Sequence, residues 1–292
     1  MKSFEKTQTL KPYLDDLKHT LYLWRKSHLT MVGSVIIGLF LLVAIFAPLI
    51  APYSPIEQDL SKRLIGPGSQ HFFGTDHLGR DIFSRVIHGS RTALWIIFLV
   101  SVISTAIGTI VGVVSGFFGG VIDEILMRIT DMFLAFPSLV LAMFIAAMLG
   151  PNLTNAIIAI SLVGWTVYAR LVRAEAIKIK SMPYIEAIRS VGASRLRIIV
   201  LHVLPMCVSP ILVQMTLRMG TIILTAASLG FLGLGAQPPA PEWGVLVSDG
   251  RGYLMNQWWI STFPGIAIAF VVLGFNLLGD GVRDMLDPRL RR

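Results

Sequence analysis

Pro183-Tyr-Ile-Glu-Ala-Ile-Arg-Ser-Val-Gly-Ala-Ser-Arg-Leu-Arg-Ile-Ile-Val-Leu-His-Val-Leu-Pro205 follows one long hydrophobic region and precedes another, yet it carries Glu186, Arg189, Arg195 and Arg197. Its first half reads as a short helix. Pro183 suits the first helical position, and Tyr184, Ile185, Ile188 and Val191 share one face at spacings of three and four. Gly192 then interrupts the run, where its backbone can adopt angles closed to other residues. Ser194 is placed to cap a second short helix with Leu196, Ile199 and Val203 on its apolar side. Two short amphipathic helices meeting at a glycine form a docking element; an ordinary basic loop is the alternative on spacing alone.

The surrounding composition is that of a membrane protein. Of 292 residues, 54% are hydrophobic and only 14% charged, against about 25% charged in soluble domains. Mean hydropathy is +0.71. The single cysteine, Cys207, excludes an intramolecular disulfide and any cysteine-cluster metal site. The net charge of +8 sits mostly beside hydrophobic segments, where it orients a chain in a bilayer. There is no basic groove interleaved with aromatics, so nucleic acid is not an expected partner.

Outward from the loop, the hydrophobic runs predict six spans. Residues 1–30 form a polar, basic tail in which Tyr13, Leu14, Leu17, Leu21 and Trp24 recur at helical spacing, as in a helix lying on a membrane surface. Met31–Ile50 is twenty residues without a charge, about 30 Å as a helix and enough to cross the hydrocarbon core. It is too long for the apolar region of a cleaved signal, so residues 31–52 are read as a retained first span. Residues 53–91 are hydrophilic and rich in Gly and Pro. His71, Asp76, His77, Asp81 and His88 lack the spacing of a recognised metal site, which favours a folded extramembrane cap.

Residues 92–282 then hold a five-helix core. The second span, Thr92–Phe118, carries Gly108, Gly112 and Gly116 four residues apart, a face suited equally to internal packing and to a subunit contact. Residues 132–169 lack charge altogether and are divided into two spans by Gly150-Pro151-Asn152, with Pro137 kinking the first. Residues 170–205 form the loop region, and residues 206–235 the fifth span. Arg218 lies inside that span, and three partners are open to it: an anionic substrate, an acid on another subunit, or the interface reached by snorkelling. Trp258–Leu278 is the sixth span, and residues 283–292 a polar tail.

Lys and Arg set the orientation. The side holding both termini carries eighteen: six in the first thirty residues, Arg128, seven in residues 170–205 and four after residue 282. The other side carries six. Positive charge favours the cytoplasm, so both termini and the Pro183–Pro205 loop are expected there. The fold class is therefore an all-α integral membrane protein with six transmembrane helices.

Glu186-Ala187, Gly192 six residues after the glutamate, and Leu204-Pro205 resemble the EAA-loop signature of binding-protein-dependent ABC importer permeases. Ile188 stands where the signature has a second alanine, and His202 where it usually has isoleucine. Gly74-Thr75-Asp76, Gly79-Arg80-Asp81 and Ser84-Arg85 are similar to the dipeptide, oligopeptide and nickel branch of that family. So are Gly235-Ala236-Gln237-Pro238-Pro239 with Glu242-Trp243-Gly244, and Gly279-Asp280-Gly281 with Leu286-Asp287-Pro288.

The resemblance implies a type I importer permease fold in a bacterial or archaeal cytoplasmic membrane. It implies a second, similar permease as partner, two ATP-binding subunits and an extracytoplasmic substrate-binding protein. It also implies that Glu186 contacts a basic group in the ATPase, with Ile185, Ile188 and Val191 filling the adjacent groove while Gly192 allows the bend. No Gly-Lys dipeptide occurs, so the chain has no P-loop of its own. No catalysis, cofactor or metal is assigned to it. The rival classes are an energy-independent carrier or channel and a membrane-embedded enzyme. Whether the cargo is a dipeptide, an oligopeptide, glutathione or a nickel chelate is open in the sequence.

Overall fold

The computed structural model describes Trp24 and residues 27–286, and its regular structure is helical. The surface helix read in residues 1–30 and the tail beyond residue 286 therefore lie outside the described residues. Helix α1 is His28–Ile45, capped by Ser27, whose Oγ accepts from the Thr30 amide. A short helix α2, Ala47–Ile50, follows a break at Phe46. Helix α3, Ile82–Phe118, begins ten residues before the span read from hydropathy. The reason is Asp81: its carboxylate accepts the Ser84 amide at 2.7 Å, so the cap starts the helix inside the polar segment.

Gly119 and Gly120, both at positive φ, turn the chain into α4, Gly120–Leu134. Pro137 then does more than kink a span. It cannot donate to the helix ladder and disfavours helical angles at Phe136, so the chain bends by 90° between α4 and α5, Ser138–Leu149. Five helices are long and apolar enough to cross a membrane, and the sixth crossing exists only if the bent α4–α5 pair counts as one. Helix α6, Leu153–Lys180, starts at Asn152, whose side chain accepts from Thr154.

The Pro183–Pro205 stretch folds as α7, Pro183–Ser190, and α8, Arg195–Ile198. The second of these is not separate. It runs through one π-helical turn, Ile199–Val203, into α9, Leu204–Phe231, as a single 37-residue rod from Arg195. The wide turn sits just before Pro205, where the missing N–H already interrupts the ladder. A short helix α10, Trp243–Gly250, precedes the last span, α11, Trp259–Leu286.

Helix α3 is the central post. Cβ atoms added at Gly108, Gly112 and Gly116 would lie 2.5–2.6 Å from the carbonyls of Trp165, Ala169 and Arg173 on α6. The glycine face is thus used inside this chain, and of the two uses open in the sequence the structure assigns it to packing. On the other flank, α1 lies on α11, with Gly33 against the Leu278 backbone and Gly281 against Thr30. Arg283 of α11 and Lys178 and Met182 near the end of α6 line one cleft. Both described ends of the chain therefore share one end of the bundle with Gly192. The Asp76 loop sits at the opposite end, over Ile82, Val86 and Trp243.

Candidate functional site

At the Gly192 end, α7 is held by a buried core. Ile185 is fully buried among Val113, Phe117, Ile179, Ile198 and Val203, with Ile188 packed on its edge. This corrects the sequence reading of Ile185 as a groove filler: it braces the loop against α3, α6 and α9, while Ile188 stays half-buried at the edge of that core. The outer surface is formed by other residues. Val191 is 84% and Leu196 71% exposed, and Tyr184, Glu186, Ala187 and Arg189 are exposed beside them. Leu196 was read on the apolar side of its helix with Ile199 and Val203, which are both buried, whereas Leu196 points outward.

Gly192 has φ +83°, a left-handed angle that a side chain would strain. With Ser194 accepting from Arg197, it turns α7 back against α8. Glu186 makes no ion pair among the described residues. Leu204 packs against the Ile185 core and Pro205 is exposed at the base of α9. A bidentate pair ties the neighbouring helices: Arg173 donates from Nε and Nη2 to both oxygens of Asp123 at 2.6 and 2.7 Å.

At the opposite end, the polar residues of the 53–91 segment form a structural knot. Arg80 donates to Asp76 at 2.6 Å, and Arg80 and Arg85 both reach towards Asp249 of α10, at 3.5 and 3.9 Å. His71 lies 2.9 Å from Asp81. Trp243 donates its indole N–H to the Val86 carbonyl, and Trp259 donates to that of Thr75. The acids and bases of the Gly-Thr-Asp and Gly-Arg-Asp motifs are thus spent on one another and on a helix cap. Nothing in the spacing pointed to Asp249, 169 residues from Arg80.

Glu242 caps α10 through the Gly244 amide at 2.9 Å and is buried. Burial pushes its carboxyl up to about 7, against the opposing pull of the Gly244 and Val245 amides.

Between the two ends, Arg218 of α9 lines a small, partly open cavity with Ser104 of α3, Ser138 of α5, Tyr168 of α6, and Thr221 and Thr225. It is half-buried and has no acidic partner among the described residues. Sequence reasoning found Arg218 and missed Tyr168 and Ser138, whose approach depends on how three helices pack. One signal was available: Gln214, Arg218, Thr221, Thr225 and Ser228 recur every three or four residues along a span.

Comparison with known proteins agrees with this architecture. A family profile described as binding-protein-dependent transport system inner membrane component matches residues 108–292. A second, the N-terminal TM domain of oligopeptide transport permease C, matches residues 18–67. A dipeptide transport system permease protein of Alkalihalophilus pseudofirmus is 48% identical over 91% of this chain and 88% of its own. A probable D,D-dipeptide transport system permease protein of Escherichia coli is 47% identical over 92% and 90%. A glutathione transport system permease protein of Escherichia coli is 44% identical over 92% and 89%. Among solved structures, an inward-facing MetNI methionine ABC transporter chain superimposes with a TM-score of 0.54 at 20% identity, covering 70% of this chain and 97% of that one.

Proposed function

The chain belongs to the binding-protein-dependent transport system inner membrane component family, and from that premise we propose that it carries peptides across the membrane as one half of a paired pathway. It is a multi-pass permease subunit of an ATP-driven ABC importer in the bacterial cytoplasmic membrane, working with ATP-binding subunits and a substrate-binding protein. An energy-independent carrier or channel is not favoured by a family defined by binding-protein dependence. The cargo reading rests on relatives named for dipeptide and glutathione transport, which share a peptide backbone with free termini. The nickel chelate left open by the sequence has no such support.

The Gly192 loop faces the cytoplasm and seats in the ATPase subunits, two per complex. The second permease is a similar, non-identical chain. The observation that carries this reading is the split face of α7. Ile185 anchors the helix to the cores of three spans, while Glu186, Ala187 and Val191 stand outside with Gly192 between them and Leu196. A push on the exposed face therefore reaches α3, α6 and α9 through packed atoms, as rigid-body switching requires. Glu186 supplies a charge-assisted contact to a basic group of the ATPase, and Val191 and Leu196 the apolar contact. Leu204 and Pro205 lie where the π-helical turn passes into α9. Catalysis is left to the ATPase subunits.

The complete complex in proteoliposomes tests this. Glu186→Ala is expected to reduce dipeptide uptake and binding-protein-stimulated ATPase about tenfold or more, with assembly retained. Wild-type uptake in the mutant removes Glu186 from the coupling contact. Uptake without ATP by the wild-type chain alone overturns the importer reading.

A further inference from the structure

A polar stripe on a membrane span cannot face lipid without cost. Gln214, Arg218, Thr221, Thr225 and Ser228 lie on one face of α9 and extend about 21 Å along the helix, most of a hydrocarbon thickness. The opposite face, with Ile223 and Ala227, is buried inside the chain. Gln214 lines the wide cleft at the Gly192 end. Arg218, one turn further on, lines the small cavity beside Tyr168. The stripe thus leads from an open vestibule to a charged position within the bundle.

Three features meet at that cavity. Arg218 brings a guanidinium without an acid among the described residues. Tyr168 is 1% exposed, and its hydroxyl, beside Thr105 of α3, makes no hydrogen bond of ordinary geometry within the chain. Helix α5, twelve residues long, opens into the same cavity at Ser138. Its preceding residue, Pro137, provides no side-chain cap, so the first amides of α5 and the positive end of its dipole are unanswered. A cation, a buried hydroxyl and a free helix N-terminus together describe an anion site, of the kind discontinuous helices make for carboxylates at membrane depth.

We propose that Arg218, Tyr168 and the N-terminus of α5 bind the C-terminal carboxylate of the peptide as it passes through the permease. This rests on the peptide-transport reading above. The carboxylate takes the guanidinium through charge-assisted bonds, while Ser138, Thr221 and Thr225 offer hydroxyls to the rest of the ligand. An acid on the partner permease is the competing occupant.

The test is equilibrium binding of labelled alanyl-alanine and of alanyl-alanine amide to the complete transporter in nanodiscs, without the binding protein. Wild type is expected to prefer the acid by about tenfold, the scale of one charge-assisted hydrogen bond. Arg218→Gln should abolish the preference, Arg218→Lys keep part of it, and Tyr168→Phe weaken acid binding about threefold with the amide unchanged. Equal binding of acid and amide by wild type, or binding of neither, overturns the proposal. So does loss of the second permease from Arg218→Gln preparations, which would hand Arg218 to a partner acid. ATP-driven uptake of alanyl-alanine by the same wild-type preparation separates the two readings. Its absence sinks peptide transport, whereas uptake without acid preference sinks only this site.

Discussion

The carboxylate of Glu242 occupies the notch left by Gly230: a side chain there would collide with Oε2, which has no hydrogen-bond partner. The contact joins the end of α9 to the start of α10, and it places an acid in an apolar setting beside Ala227 and Trp243.

That placement predicts a pH dependence. The folded state raises the Glu242 carboxyl from 4.5 to about 7, so the folded chain holds a proton more tightly than the unfolded one. Stability is greatest below about pH 4.5 at this site, falls as pH rises towards 7, and is about 3 kcal/mol lower above it. Glu242→Gln should flatten this slope and raise the melting temperature at pH 8, measured by scanning fluorimetry of the purified complex between pH 5 and 8. An unchanged slope would show that Glu242 does not titrate in this range.

The glycine seam of α3 predicts a sharp contrast between two equally conservative-looking changes. Gly112→Leu must push α6 away, since even its Cβ would lie 2.6 Å from the Ala169 carbonyl. It should remove folded protein from the membrane fraction, as overpacking costs about 1–3 kcal/mol or more. Gly38→Leu on α1 has no atom within 4 Å of the new Cβ and should express normally.

The split face of α7 separates stability from coupling. Ile185→Ala empties a fully buried site and should cost about 2–5 kcal/mol of stability. Val191→Asp changes a residue that is 84% exposed, and should leave the melting temperature within a few degrees while reducing ATPase stimulation. Equal thermal losses in the two variants would contradict the division.

The Asp76 knot should fail abruptly. Asp76→Asn leaves the buried Arg80 and Arg85 with Asp249 as their one acidic partner among the described residues, at 3.5 and 3.9 Å, and Arg85 with the Pro55 carbonyl. Removing one partner of a buried ion pair costs about 3–5 kcal/mol. The expected readout is a lowered melting temperature and faster proteolysis within residues 53–81, with Asp249→Asn milder because that carboxylate is partly exposed.

Much of this was legible in the chain. Spans are written in long apolar runs, because a bilayer penalises every charge placed at depth. The loop signature was legible because Pro183, Gly192 and Pro205 constrain backbone at stated positions. Two boundaries were not: Asp81 starts α3 early by a cap bond, and Pro137 breaks a span that hydropathy alone reads as merely kinked. Ile185 was misassigned because an amphipathic helix shows which residues are apolar and not which neighbour covers them.

Hydrophobic length, charge asymmetry and backbone punctuation by themselves determined a multi-span membrane protein with a basic, glycine-broken segment between two spans, since each is a local property. Only tertiary packing decided that the α3 glycines face α6, that Ile185 is an internal strut, and that Arg218 meets Tyr168 and the end of α5. Those outcomes depend on close approach between helices far apart in the chain, and the energy of such contacts belongs to pairs of surfaces that no single segment contains.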